Sequence, residues 1–286
     1  MSSLQRGFTE VSRKYDRYSI AQKAAAESLL RLVQLGPRED VLDVGCGSGY
    51  LARQMAEITS GKVTAMDPAP GMIAEAMMLA FHEGTERSEG ICFELSSVED
   101  IQLDKAVDVI VCNSVLHWFQ DAPRALSACW RALRPGGRMV TQVMATKDYC
   151  PNFVRALADV AVHPTTAETF ARFNEPFLLL DSADDYAALF RRSGFSVEVA
   201  RIEAVAAQYS LEQVRHVFES GVGAAYFNPD FYADDGPERR RRRDRLPEGY
   251  VSAFRQVLEA AFRSQADAGG AINFVFNRAY VLAYKK

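Results

Sequence analysis

No stretch of the 286-residue sequence approaches the run of roughly 20 apolar residues that a membrane-spanning helix needs. Cysteine is scarce and unpaired. The five residues (Cys46, Cys92, Cys112, Cys129 and Cys150) are odd in number, widely spaced and without a C-x-x-C pair. That excludes a disulfide framework and a structural zinc site, and no metal is expected. The opening, Met1-Ser2-Ser3-Leu4-Gln5-Arg6, has neither the apolar segment nor the small-residue cleavage site of a secretory leader. A cytoplasmic protein with reduced thiols is therefore expected. Nor is there an excess of charge of one sign: 33 basic against 37 acidic residues leave a net charge of -4. Such a balance gives no global attraction to nucleic acid, and neither a nucleic-acid nor a membrane partner is expected.

What is present is ordinary for a folded chain, 48% hydrophobic and 24% charged. Its arrangement is more telling. Residues 8–35 carry Ala24, Ala25, Ala26, Leu29, Leu30, Leu32 and Val33 at helical spacing and stop at Gly36-Pro37. Short apolar runs at 40–44, 62–66, 91–95, 107–112 and 138–143 then alternate with helical stretches at 50–58, 71–81 and 123–133. Strands alternating with helices imply βαβ units and a parallel sheet covered on both faces. Residues 146–181 look irregular, with Pro151, Pro164 and Pro176. A helix at 183–193 and a strand at 195–202 follow, then a mainly helical stretch at 209–268 and a final β-branched and aromatic strand at 272–284.

This pattern predicts a Rossmann-like α/β fold: a doubly wound, seven-stranded, mostly parallel sheet with an antiparallel last strand and helical lid insertions. The expected layout is an N-terminal helical lid (1–36), a cofactor-binding core (37–145) and a lid insertion (146–181). A core helix and strand (182–204), a helical lid insertion (205–270) and the last core strand (271–286) complete it. The length suits one core with lid pieces.

The strongest local signal is Val41-Leu42-Asp43-Val44-Gly45-Cys46-Gly47-Ser48-Gly49, a buried strand entering a glycine turn that opens a helix. Glycines allow the backbone to approach a ligand and to take positive φ. The helix start beyond them offers unpaired N–H groups. Asp67 ends the next strand, where a carboxylate can accept both hydroxyls of an adenosine ribose. A nicotinamide-binding turn uses similar logic, but here the third glycine comes one position early and an acid sits inside the first strand.

The ordered set D-V-G-C-G-S-G, Met66-Asp67-Pro68, Ser96-Ser97-Val98-Glu99-Asp100, Asn113-Ser114-Val115-Leu116-His117-Trp118 and Leu133-Arg134-Pro135-Gly136-Gly137 resembles the class I S-adenosylmethionine-dependent methyltransferases across residues 40–145. The resemblance implies S-adenosylmethionine as cofactor. Gly45, Cys46, Gly47 and Gly49 would line its methionine part, with Asp43 orienting the loop and the amino group. Asp67 would hold the ribose hydroxyls, Pro68 and Met72 would flank the adenine, Ser97 and Val98 would meet its edge, and Asn113 would reach the methionine end. The segment from Phe8 to Tyr18 with Gln22 is similar to the opening of malonyl-carrier-protein O-methyltransferases, where it folds over the cofactor. Leu116-His117-Trp118 and Asn174-Glu175-Pro176-Phe177 are similar to trans-aconitate methyltransferases. Both groups methylate carboxylates, which implies a small-molecule acceptor, either free or tethered to an acyl carrier protein.

Several residues keep two readings. Tyr15 and Tyr18 either close over the reacting sulfur or pack as an aromatic helix face. His117 is either a catalytic base or hydrogen-bond donor, or a core histidine beside Trp118. A carboxylate acceptor would need no base, since it is ionised at neutral pH. The run Glu238-Arg239-Arg240-Arg241-Arg242-Arg243-Asp244-Arg245 is either a solvated face or a dock for an acidic carrier protein. Arg172, Arg191, Arg192 and Arg278 are candidates to pair with a substrate carboxylate. Beside carboxylate methylation stand O-, N- or C-methylation of a secondary metabolite and an intramolecular reaction of the cofactor. A nicotinamide oxidoreductase is disfavoured by the glycine spacing, and a non-catalytic partner protein by the intact Asp43, glycines and Asp67.

Overall fold

The computed structural model describes residues 2–84, 86–233 and 246–286. Strands β1 (Val41–Val44), β2 (Val63–Asp67), β3 (Cys92–Leu95), β4 (Val107–Asn113), β5 (Leu133–Met144), β6 (Ser196–Ser210) and β7 (Ala271–Tyr284) form one sheet. Their order is β3-β2-β1-β4-β5-β7-β6. The first five are parallel, and β7 runs antiparallel to both β5 and β6. The order reverses at β1 and β4, so the crevice at their carboxyl ends is the topological switch point where open α/β sheets bind ligands.

The main helices are α1 (Ser3–Tyr18), α2 (Ile20–Val33), α3 (Tyr50–Ile58), α4 (Pro70–Glu83), α5 (Ala122–Ala132), α6 (Pro151–Val162), α7 (Ala183–Arg192), α8 (Leu211–Ser220) and α9 (Tyr250–Arg263). One face of the sheet buries Val41, Val109, Val111, Val140 and Leu282 against Leu29 and Val33 of α2 and Leu51 and Met55 of α3. The opposite face buries Leu42, Ile110, Cys112 and Val143 against Leu126 and Cys129 of α5 and Phe190 of α7. Strands buried on both faces explain the near-continuous apolar runs of the sequence.

A separate apolar cluster sits beyond the sheet's carboxyl ends. It joins Phe153 of α6, Val214 and Phe218 of α8, and Phe254 and Phe262 of α9 to Ile272 and Phe274 of β7. β5 pairs with β7 only from Arg278 to Tyr284, whereas β6 pairs with it along its whole length. Residues 271–277 and 204–210 therefore project past the core as a two-stranded ribbon that carries this cluster.

Three local expectations change. The single N-terminal helix is two, because Ser19, with φ of -79° and ψ of 39°, leaves the helical conformation between α1 and α2. The segment 146–181 holds α6, with Pro151 at its first turn, where proline lacks no needed donor. Strand β6 continues to Ser210, eight residues past the expected end, because β7 supplies a partner throughout. The arginine run at 239–245 lies outside the described residues. No described helix is long and apolar enough to cross a membrane.

Candidate active site

The β1–α3 turn is built on positive φ at Gly45 (71°), Gly47 (54°) and Gly49 (76°). Side chains there would also collide: a Cβ on Gly45 would lie 2.4 Å from Val115 Cγ2. Backbone N–H groups of Gly45 and Cys46 both donate to Met66 O, which locks the turn onto the end of β2. At that end Asp67 Oδ2 accepts from the Gly47 N–H (3.0 Å) and Oδ1 from the Ala69 N–H (2.8 Å). The carboxylate thus ties the glycine turn to the start of α4. Burial pushes its pKa up to about 6, against the pull of those two hydrogen bonds.

Helix α1 lies across this turn. The Tyr15 ring is the nearest group to Gly47, where an added Cβ would stand 3.2 Å from Tyr15 Cε1. Burial and the neighbouring Asp67 hold the Tyr15 phenol neutral by pushing its pKa well up. Thr9 packs on Gly71 and its Oγ1 accepts from the Gly71 N–H at 3.3 Å. Asp16 joins the helix to three elements, accepting from Ser48 Oγ (2.9 Å) and pairing with Lys23 (2.8 Å) and Arg53 (3.7 Å). Phe8 meets Trp118 edge-on at 5.3 Å between ring centres.

A continuous cavity opens under α1. One half is lined by Gly45, Gly47, Asp67, Pro68, Met72 and the Ser97–Val98 loop, with Tyr15 above. Ser97 Oγ donates to Glu99 Oε2, which pins that loop. The other half is walled by Trp118, Met144, Tyr149, Phe153 and Phe276, with His117 and Arg278 among them. His117 is 4% exposed, and desolvation drives its pKa down to about 3, so the imidazole is neutral. Its Nδ1 has no partner among the described residues.

The remaining expected site residues stand beside the cavity rather than on its wall. Cys46 and Gly49 form the back of the turn, and burial raises the Cys46 thiol well above its ordinary range. Asp43, 1% exposed, accepts from the Ala52 N–H and is pushed up to about 7 by burial and by Asp67. Asn113 Nδ2 donates to Gln22 O at 3.0 Å. Asp43 Oδ2, Asn113 Oδ1 and Gln22 Oε1 are buried acceptors with no donor among the described residues. Buried acceptors without a donor cost free energy. Tyr18 does not face the cavity: its ring stacks on His216 of α8 with centres 3.6 Å apart, and Ser220 Oγ donates to its carbonyl. The packing alternative describes Tyr18, since its ring is spent on holding α1 to α8.

Sequence reasoning did not identify the aromatic half of the cavity. Tyr149, Phe153, Val217, Gly221 and Phe276 come from three separate segments without a shared motif. Ser114 carried a faint signal: it follows the Asn113 that ends β4, takes φ of 59° and donates from Oγ to Gln142 Oε1 at 2.7 Å.

Residues 42–141, which span β1 through most of β5, match the family described as the methyltransferase domain. This stretch is a methyltransferase domain. Two curated relatives illustrate the match. The chain is 33% identical to the malonyl-[acyl-carrier protein] O-methyltransferase of Serratia marcescens, over 48% of this chain and 51% of the relative. It is 24% identical to the trans-aconitate 2-methyltransferase of Methylobacterium nodulans, over 94% of this chain and 96% of the relative. The chain spans about half the length of the first curated relatives it matches. Among solved structures, the YcgJ protein of Bacillus subtilis superposes with a TM-score of 0.59 at 16% identity, over 92% of this chain and all but 1% of that one. That likeness supports the Rossmann-like fold around the methyltransferase domain.

Proposed function

We propose that this chain transfers the methyl group of S-adenosylmethionine to a carboxylate oxygen of a small molecule, either free or tethered to an acyl carrier protein. The observation that carries the reading is the bond between Gly47 N–H and Asp67 Oδ2, which fixes the glycine turn and a buried carboxylate on the same cavity. Gly45, Cys46, Gly47 and Gly49 would hold the methionine part. Asp67 keeps free lone pairs for two ribose hydroxyls, because each oxygen accepts only one backbone N–H. Pro68 and Met72 would flank the adenine, and Ser97 and Val98 would meet its edge. Gln22, which lines the cavity and whose Oε1 is unmet, would accept from the ammonium group. Tyr15 would cover the whole.

When bound, the cofactor supplies a methyl group on a positively charged sulfur, open to attack by a lone pair. The protein's part is placement and exclusion of water. His117 is too weak a base to deprotonate an alcohol usefully. A carboxylate acceptor asks for no proton transfer, which fits an acceptor half whose imidazole is held neutral. The malonyl and trans-aconitate groups in the relatives' names support the same acceptor class. The aromatic wall favours, as a second reading, methylation of a secondary metabolite with an apolar body.

Calorimetric titration with S-adenosylmethionine and S-adenosylhomocysteine tests the cofactor. Micromolar binding of both is expected, and absence of binding would refute the reading. Product analysis separates methyl transfer, which leaves S-adenosylhomocysteine, from internal chemistry, which leaves methylthioadenosine.

A further inference from the structure

Of the four arginines with the chemistry to hold an acidic acceptor, one sits within the cavity. Arg278 on β7 is 5% exposed and lines the acceptor half. Arg191 and Arg192 stand on the outer face of α7. Arg172 flanks the Phe173–Tyr232 bridge, where its carbonyl accepts from the Ala233 N–H, and does not line the cavity.

The surroundings of Arg278 are unusual for a buried cation. Its Nη2 donates to Ala21 O at 2.9 Å, and its guanidinium lies 5.3 Å from the centre of the Phe276 ring. No carboxylate pairs with it among the described residues. Glu203, its partner across the β6–β7 ladder, instead accepts from Arg201 at 2.6 Å. A guanidinium carries five donors in a fixed fork, and one carbonyl plus one aromatic face satisfy few of them. Holding a charge away from water without a counterion is costly, so the site is built for an anion it does not itself contain.

Position narrows which anion. Ala21, which Arg278 touches, neighbours Gln22, whose carbonyl receives the Asn113 side chain at the end of β4. Arg278 therefore sits at the end of the acceptor half nearest the glycine turn, while the aromatic wall extends away from it.

We propose that Arg278 is the specificity-determining residue that holds the carboxylate to be methylated, with the apolar body of the acceptor lying along Trp118, Phe153 and Phe276. This rests on the methyl-transfer reading above. In the transfer, one carboxylate oxygen forms the new O–CH3 bond with its own lone pair as the S–CH3 bond breaks, and that bond pair stays on sulfur. The carboxylate and the sulfonium both become neutral, and no proton is released. The ester has lost the charge that Arg278 recognises, so the same residue that selects the substrate also weakens the hold on the product.

The test is binding, not turnover. Straight-chain carboxylates of four to twelve carbons and their neutral methyl amides are titrated, by ligand-observed NMR, into the full chain loaded with S-adenosylhomocysteine. Wild type should bind the best carboxylate at least tenfold more tightly than its amide. Arg278→Gln should bring that ratio to near one, and Arg278→Lys should restore part of it. Affinity for S-adenosylhomocysteine should stay within about threefold in both variants. A wild-type protein without carboxylate preference, or a preference that survives in Arg278→Gln, overturns the inference. Failure of S-adenosylhomocysteine to bind wild type is a different result and overturns the underlying reading. Because the readout is a ratio within one protein, loss of stability alone does not imitate it.

Discussion

Replacing Asp67 with asparagine should separate stability from cofactor binding. In the folded chain the carboxylate is held at a pKa of about 6 rather than its ordinary 3.8. At 1.36 kcal/mol per unit, keeping it ionised costs about 3 kcal/mol near neutral pH. Asparagine removes that cost and the repulsion from Asp43. It also replaces one accepting oxygen by an NH2 group, so either the Gly47 or the Ala69 N–H loses its acceptor. A hydrogen bond to a charged group is worth about 1.5–3 kcal/mol. The two effects oppose each other at similar size, and the variant should unfold within about 1 kcal/mol of wild type. Binding has no such compensation, because the ribose hydroxyls would lose a charged double acceptor. A loss of about 2.7 kcal/mol corresponds to about 100-fold in affinity.

The assay is calorimetric titration with S-adenosylhomocysteine beside thermal denaturation. The pH dependence adds an independent check. Because the folded pKa lies above the unfolded one, the folded state binds more protons between about pH 4 and 6, and Asp67 lowers stability as pH rises through that window. Ligand hydroxyls favour the ionised form, so wild-type affinity should rise from pH 5 to 7, and Asp67→Asn should lose the part of that rise centred near pH 6. An unchanged affinity in the variant would refute this account of the site.

Two further perturbations bear on neighbouring parts. His117→Leu should leave the pH profile of methyl transfer between 6 and 8 unaltered and the rate within about threefold, since the imidazole does not titrate there. In wild type the depressed His117 pKa makes stability fall as pH drops from about 6.5 toward 3, and the variant should show a shallower acid slope in denaturant midpoints. A hundredfold loss of rate would instead mark the ring as a base. Asp16→Asn weakens the ties from α1 to Ser48, Lys23 and Arg53. It should speed limited proteolysis within α1 and weaken S-adenosylhomocysteine binding a few-fold, and unchanged proteolysis would show that packing alone holds the helix.

The glycine-turn half of the cavity was legible in the sequence because its elements are local. Asp43, three glycines and Asp67 fall on two adjacent βα units, and the strand–turn–helix pattern fixes their relation before any tertiary contact forms. The boundary at Ser19 was not legible, since neither proline nor glycine marks it and the break is a change of backbone conformation at that one serine. Helix α6 was hidden by Pro151, which reads as a breaker in sequence and in the structure occupies the first turn. The far part of β6 is alanine-rich, a weak strand signal, and its conformation is imposed by β7 more than 60 residues later. The aromatic half of the cavity was invisible for the same reason: its wall is assembled by long-range packing, which also brings Arg278 of β7 to it.

The ribbon formed by the outer ends of β6 and β7 has a consequence for how such a protein can change. The glycine-turn half of the cavity rests on clusters around β1 and β4, whereas the aromatic wall grows from the ribbon and from the helices that pack on it. Because strand residues alternate between faces, exchanging two-residue units in 204–210 and 271–277 would alter the length of the wall while keeping every inward side chain inward. The aromatic wall can thus change through a part of the fold that leaves the glycine turn untouched, with Arg278, at the last rung shared with β5, marking where the ribbon leaves the core.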